Sequence, residues 1–224
     1  MNYELVKRIL TSLTLLPVLI YCSYKSGFYF IIFLSTIYFL SFYEIFANTK
    51  NLLFNFISNT IIILAIFSFY YLRGSTSSSL IVLYWVLLST FLSDIGGYIF
   101  GKIFKGKKLT KISPNKTISG SVGSIVFSFM SLLILNFFQE LLLGEKLVNF
   151  YQLKYFLITF LFSIICQSGD LFVSFWKRKI KIKNISNILP GHGGVLDRID
   201  GLIFVLIFSF LIKIIGLIWW KCKQ

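Results

Sequence analysis

Residues 79–100 read SLIVLYWVLLSTFLSDIGGYIF. A hydrocarbon core about 30 Å thick needs roughly 20 apolar residues in helical form, and this run supplies them. Its one charged side chain is Asp94, placed late in the run. A carboxylate inside a membrane segment is costly unless it has a partner or a water-filled cavity. The same stretch therefore predicts a membrane span and a polar site near one end of it.

Six further apolar runs lie outward from this one, near 9–24, 27–47, 53–72, 119–143, 154–176 and 201–220. The whole chain of 224 residues is 57% hydrophobic, 19% aromatic and only 13% charged. Soluble domains carry about 25% charged residues, so lipid is the solvent implied, in keeping with a mean hydropathy of +0.83. The expected fold class is all-α, a polytopic integral membrane helix bundle of about seven transmembrane helices. Pro17 in the first run is tolerable, because neighbouring helices satisfy the freed carbonyl. Lys7-Arg8 ahead of that run superficially resembles a signal peptide, but no small-x-small cleavage site follows, and an uncleaved first span is expected. Cys22, Cys166 and Cys222 have no paired spacing, so they read as small apolar packing residues rather than disulfides or a zinc site.

The net charge is +14. The cations sit between apolar runs, so the partners expected are a membrane surface and phosphate-bearing ligands, not nucleic acid. Lys7, Arg8, Lys50, the lysines of 102–116, the basic residues of 177–183 and Arg198 fall on one side of the alternating spans. Lys25, Arg73, Lys146, Lys154, Lys221 and Lys223 fall on the other. The rich side is expected to be cytosolic, with the N-terminus inside and large cytosolic loops near 101–118 and 177–200.

That topology, drawn from cations alone, gathers all four aspartates at one depth. Asp94 and Asp170 come late in spans that run toward the cytosol, and Asp197 and Asp200 come just before the seventh span. Salt bridges to nearby lysines would explain them. So would a divalent cation, since hard oxygen ligands together with substrate phosphates suit Mg²⁺. A proton or ion path fits less well, because the span centres are apolar except for Lys213. Asp197 and Asp200, three apart, share a face if helical. The run Pro190-Gly191-His192-Gly193-Gly194 ahead of them leaves backbone free to approach a ligand, and its N–H groups are a candidate phosphate cradle. His192, the one histidine, is either an ordinary hydrogen-bonding residue or a ligand to phosphate or base. Lys116 in Ser113-Pro114-Asn115-Lys116-Thr117 and Lys177-Arg178 sit in polar constellations and are the better phosphate-clamp candidates.

Ser174-x-x-Lys177-Arg178, then Lys183, then Leu189-Pro190-Gly191-His192-Gly193-Gly194-x-x-Asp197-Arg198-x-Asp200 closely resembles the signature of phosphatidate cytidylyltransferases (CDP-diglyceride synthases). Ser93-Asp94 through Tyr98, Gly101, Lys108-Leu109 and Ile112 to Thr117 resemble the family's second block, and Gln167-x-Gly169-Asp170-Leu171 the run before the signature. Lys7-Arg8, Pro17 and Glu44 match its N-terminal half more loosely. The resemblance implies N-terminal spans over 1–78 and a catalytic membrane region over 79–224. It implies an enzyme of a bacterial inner membrane, a homodimer, that joins CTP to phosphatidate and releases CDP-diacylglycerol and pyrophosphate. It also implies a two-cation site at the cytosolic face, with Mg²⁺ and a second ion that could be monovalent. Asp170 and Asp197 are associated with that centre, Asp200 and Asp94 in support. Ser174, Lys177, Arg178 and Asp197 are the expected catalytic set. Ser113, Asn115, Lys116, Thr117, Lys183, His192, Gly193, Gly194 and Arg198 are the expected substrate contacts. Asn184 and Ser119 stand where the family usually has acids, which puts part of a metal shell in doubt. A CTP-dependent polyprenol or phytol kinase is the alternative of similar type. An anionic-lipid transporter is the alternative of another class, but it would predict repeat symmetry and polar span centres.

Overall fold

The computed structural model describes residues 3–49, 51–110, 113, 116–143, 146–180, 182, 185–186, 188 and 193–216, with side chains from residue 13 onward and not those of 142–143. They form seven helices in the expected order: α1 (Tyr3–Lys25), α2 (Gly27–Asn48), α3 (Leu52–Arg73), α4 (Ser77–Phe104), α5 (Ile118–Leu143), α6 (Leu153–Lys179) and α7 (Leu196–Ile214). Five of them, α2 to α6, are long and apolar enough to cross a membrane. In α1, where side chains are described from residue 13, Leu13–Lys25 is a shorter apolar helix. The 19 residues of α7 carry Asp197, Arg198, Asp200 and Lys213, which dilute its apolar character. With a rise of about 1.5 Å per residue, the 28 residues of α4 are longer than a bilayer core of about 30 Å requires.

Each helix packs on the next, and α7 turns back to lie against α3, α4 and α6. Short connections and alternating direction put matching ends together. At one end Arg73 of α3 donates to the carbonyls of Ser23 and Tyr24 at the close of α1, and Lys213 of α7 donates to the carbonyl of Tyr71 at 3.0 Å. At the other end α2, α4 and α6 finish where α7 begins.

Side-chain distribution confirms the solvent. Phe28, Phe39, Phe56 and Phe137 are each more than 60% exposed, while Ser41, Ser68, Ser93, Ser128 and Ser131 are fully buried. Small polar residues belong at helix interfaces in lipid, where backbones approach closely and hydroxyls bond across. Ser93 meets Ser163 at 2.9 Å, Ser89 meets Ser131 at 2.8 Å, and Trp85 Nε1 donates to Thr159 Oγ1 at 3.0 Å. The closest helix pair is α4 with α5. A Cβ on Gly120 would stand 2.8 Å from the Gly97 carbonyl, and one on Gly123 would stand 2.7 Å from that of Gly96. These glycines let α4, which carries Asp94, lie nearly backbone to backbone with α5.

The seventh helix starts five residues earlier than the apolar pattern suggests. Asp197 and Asp200 are therefore in its first turns, not in the loop before it. Acidic residues are favourable at a helix N-terminus, so the polar residues extend the helix and do not delay it. The expected continuation of this span to 220 lies partly outside the described residues.

Candidate active site

Four helices contribute. Asp94 comes from α4, Asp170 and Lys177 from α6, Asp197, Arg198 and Asp200 from α7, and Lys116 from the segment leading into α5. That segment returns on itself. Leu109 N donates to the Lys116 carbonyl at 2.8 Å, Ile118 N donates to that of Lys107 at 3.0 Å, and Lys108 pairs with Thr117 in an isolated antiparallel bridge. The short hairpin aims Lys116 back at α6.

The charges form a connected chain. Lys116 Nζ donates to Asp170 Oδ2 at 3.1 Å. Asp170 lies against α7 next to Asp200: a Cβ on the following Gly201 would stand 2.6 Å from Asp170 Oδ1, and the two carboxyl groups are within electrostatic range. Lys177 Nζ lies 3.9 Å from Asp200 Oδ2 and donates to Asp197 Oδ1 at 2.9 Å. The side chains of Lys177, Asp197 and Asp200 are 14%, 12% and 18% exposed, so water does little of the screening. The aspartates three apart do share a face, as expected, and Lys177 reads both. Asp94 sits beside Asp170, within electrostatic range of Lys116 and Arg198, and accepts from Cys166 Sγ at 3.5 Å.

One link joins like to like. Asp170 meets Asp200 across α6 and α7, and Asp170 Oδ1 is buried without a hydrogen-bond donor. Two ionised carboxylates cannot satisfy each other, because both accept; such a pair is relieved by a shared proton or by a cation. A buried oxygen left in this state costs about 1–3 kcal/mol or more for a charged group. The atom is a fitting ligand for a hard cation, whose preferred donors are carboxylate oxygens. Among the described residues no three His, Cys, Asp or Glu side chains already converge at ligand spacing. Two lysines hold three of the carboxylates, those of Asp170, Asp197 and Asp200, in ion pairs instead.

Other expected site residues take a variety of places. Ser174 lies one turn after Asp170 on the same face of α6 and makes no hydrogen bond among the described residues, so its hydroxyl is not spent on its own helix. Arg178 is exposed and donates to the Ile182 carbonyl at 3.4 Å. Ser113 forms a turn, its carbonyl accepting from Lys116 N at 3.1 Å. Thr117 caps α5: its Oγ1 accepts from Gly120 N at 3.1 Å. Ser119, in place of the family's acid, bonds Thr117 Oγ1 at 3.0 Å and donates to the Lys105 carbonyl, so its oxygen serves the hairpin base. Asn115, Lys183, Asn184 and His192 lie outside the described residues.

Of the phosphate cradle expected over 190–194, only Gly193 and Gly194 are among the described residues. Gly193 does take a positive φ of 87°, which suits glycine. The amides beyond it are already engaged by protein carboxylates. Gly194 N donates to Asp197 Oδ2 at 3.3 Å, Val195 N to Glu44 Oε1 at 2.8 Å and Leu196 N to Glu44 Oε2 at 2.9 Å. Internal carboxylates occupy the positive end of α7, where an anion from outside was expected. Glu44 is the residue that sequence reasoning undervalued; the signal was a lone acid at the end of an otherwise apolar span. Cys166, read as simple packing, bonds Asp94 from one turn before Asp170.

An apolar cleft opens beside this chain of charges, between α2, α3, α6 and α7. Phe54, Ile57, Ile61, Phe172, Trp176 and Phe204 line it, with Lys177 and Asp200 at its polar end. The arrangement offers a polar, cation-ready end and an apolar body side by side, the two requirements of a lipid that carries a phosphate.

The cytidylyltransferase family profile matches residues 47–215, about three quarters of the chain. A phosphatidate cytidylyltransferase of Staphylococcus haemolyticus is 39% identical over 139 residues, covering 62% of this chain and 51% of that protein. Proteins of the same name from Rickettsia conorii and Helicobacter pylori are 38% identical over 143 residues and 36% over 124. These alignments cover 62% and 55% of this chain, and 60% and 44% of the relatives. The chain thus spans about half the length of the curated relatives it matches.

Proposed function

Since the chain belongs to the cytidylyltransferase family, we propose that it transfers the cytidylyl group of CTP to phosphatidate, forming CDP-diacylglycerol and pyrophosphate. The observation that carries this reading is the Asp170–Asp200 contact with its orphaned oxygen, flanked by Lys116 and Lys177. A phosphate monoester attacking a triphosphate brings two anions together, so shielding charge is the main chemical problem.

In this reading an oxygen of the phosphatidate phosphate attacks the α-phosphorus of CTP. The bond from that phosphorus to the bridging oxygen breaks, and pyrophosphate leaves with the electron pair. Such a nucleophile is largely ionised near neutrality, with a second pKa around 6 in phosphorylated side chains, so a general base is not demanded. Lys116 and Lys177, now paired with Asp170 and Asp197, exchange those partners for phosphate oxygens when substrate arrives. Arg198 adds a third cation within electrostatic range of Asp94. The exchange releases carboxylate oxygens of Asp170 and Asp197 next to Asp200. Asp170, Asp200 and Asp197, with Asp94 in reach, would hold the Mg²⁺ and a second cation, which would draw charge off the attacking and leaving oxygens. Ser174, one turn from Asp170, is placed to bond a phosphate oxygen. The apolar cleft leaves the acyl chains in a hydrocarbon environment while the headgroup meets Lys177.

We place the N-terminus and the site on the cytosolic face, on the excess of cations at that end of the bundle; the bacterial inner membrane and the homodimer rest on the family resemblance. The test is the purified full chain in detergent with radiolabelled CTP, phosphatidate and MgCl₂. CDP-lipid and pyrophosphate in equal amounts are expected. Release of CDP with a phosphorylated polyprenol would point to a kinase. No product from a folded preparation would refute the reading.

A further inference from the structure

Glu44 lies on α2, outside the segment matched by the family profile, and is completely buried. The first N–H groups of a helix have no partner within it. The residue at the N-cap of α7 is Val195, whose side chain cannot accept a hydrogen bond, and no side-chain cap from this segment forms. Glu44 supplies the cap from a different helix. Its two oxygens take Val195 N and Leu196 N at 2.8 and 2.9 Å, and Oε1 also accepts from Ser186 Oγ at 2.6 Å. A carboxylate at this end of a helix is favoured by the helix dipole and by charge-assisted bonding.

The next turn of α2 extends the grip. Asn48 Nδ2 donates to the Ile185 carbonyl at 2.5 Å, and Ile185 N donates to Asp197 Oδ2 at 3.0 Å. Gly194 is pressed against the same carboxylate: a Cβ there would stand 3.0 Å from Glu44 Oε1 and 3.1 Å from Oε2. The axial position and rotation of α7, and with them where Asp197 and Asp200 face, are therefore set from α2.

We propose that Glu44 is a positioning residue for the reaction, holding the first turn of α7 so that Asp197 and Asp200 meet Lys177 and Asp170. The proposal rests on the functional reading above for its catalytic consequence, but not for the cap itself. Glu44→Gln keeps the shape and loses one of the two acceptors. In Glu44→Gln we expect amide hydrogen exchange over 193–200 to rise about tenfold or more, from the loss of a bond to a charged group. We expect kcat to fall at least tenfold, with KM for CTP within about twofold. Gly194→Ala should impair the enzyme alone yet add less in the Glu44→Ala background, where the carboxylate is gone and only Ser186 Oγ, at 3.1 Å, still crowds the position. Should Glu44→Ala fail to fold, the exchange and kinetics of Glu44→Gln decide. Exchange at the wild-type level in Glu44→Gln overturns the cap. Raised exchange with wild-type kcat overturns the positioning role. A wild-type protein that turns over no CTP sinks the functional reading separately, while the exchange measurement still decides whether Glu44 holds α7.

Discussion

Gly201 follows Asp200 and faces α6 at its most crowded point. A methyl group there would stand 2.6 Å from Asp170 Oδ1, 2.6 Å from Cys166 Sγ and 3.0 Å from the Cys166 carbonyl oxygen. Ordinary contact begins near 3.4 Å, so Gly201→Ala leaves a deficit of about 0.8 Å at the carboxylate. The Asp170 side chain can rotate, but the Cys166 carbonyl belongs to the helix and cannot. Hence α6 and α7 part slightly and Asp170 turns away from Asp200. Overpacking of this size costs about 1–3 kcal/mol of stability. A catalytic group misplaced by about 1 Å can cost about 10²-fold in rate. Gly201→Ala is therefore expected to fold, to lose only a small part of its thermal stability, and to lower CDP-lipid formation about 30- to 100-fold. The assay is radiolabelled CTP turnover with phosphatidate in detergent, paired with a thermal melt. A Gly201→Ala protein with turnover within twofold of wild type would show that the Asp170–Asp200 contact does not matter to the chemistry.

Three further outcomes are expected. Lys177→Met removes the cation shared by Asp197 and Asp200; it should abolish turnover and, with magnesium absent, lower stability by about 3 kcal/mol, the usual cost of stranding a buried partner, which a denaturation series checks. Arg73→Ala frees the carbonyls of Ser23 and Tyr24 at the far end of the bundle; it should cost about 1–3 kcal/mol of stability while KM for CTP, measured in the surviving folded fraction, stays unchanged. Treatment with EDTA should stop CDP-lipid formation and added MgCl₂ should restore it; full activity after exhaustive chelation would remove the divalent cation from the proposal.

Much of this was legible in the residues because the physics is local. A run such as 79–100 can only be satisfied in lipid as a helix, since every backbone N–H and C=O must bond within the segment. Seven runs gave seven helices within a few residues, and the placement of lysines alone put all four aspartates at one end. Asp197 and Asp200 on one face followed from helical periodicity, and the structure shows Lys177 answering both. Less legible was the use of the glycine-rich loop. Its amides looked open to a phosphate, but Gly194 N bonds Asp197, and the two amides that follow the loop, those of Val195 and Leu196, bond a helix about 150 residues earlier in the chain. Not legible either was that Thr117 and Ser119, read as substrate contact and lost acid, also shape the entry to α5.

The sequence by itself determined the solvent, the helices, the family signature and which end of the bundle carries the acids, because hydrophobicity and charge act residue by residue. Only the tertiary structure decided the pairings: Lys116 with Asp170, Lys177 with Asp197, Asp170 against Asp200, and Glu44 on the first turn of α7. Such contacts depend on how each helix is rotated and offset against its neighbours, and small residues such as Gly201 and Gly194 set those distances to within tenths of an ångström. Packing at that resolution is a property of the assembled bundle, which no single segment encodes.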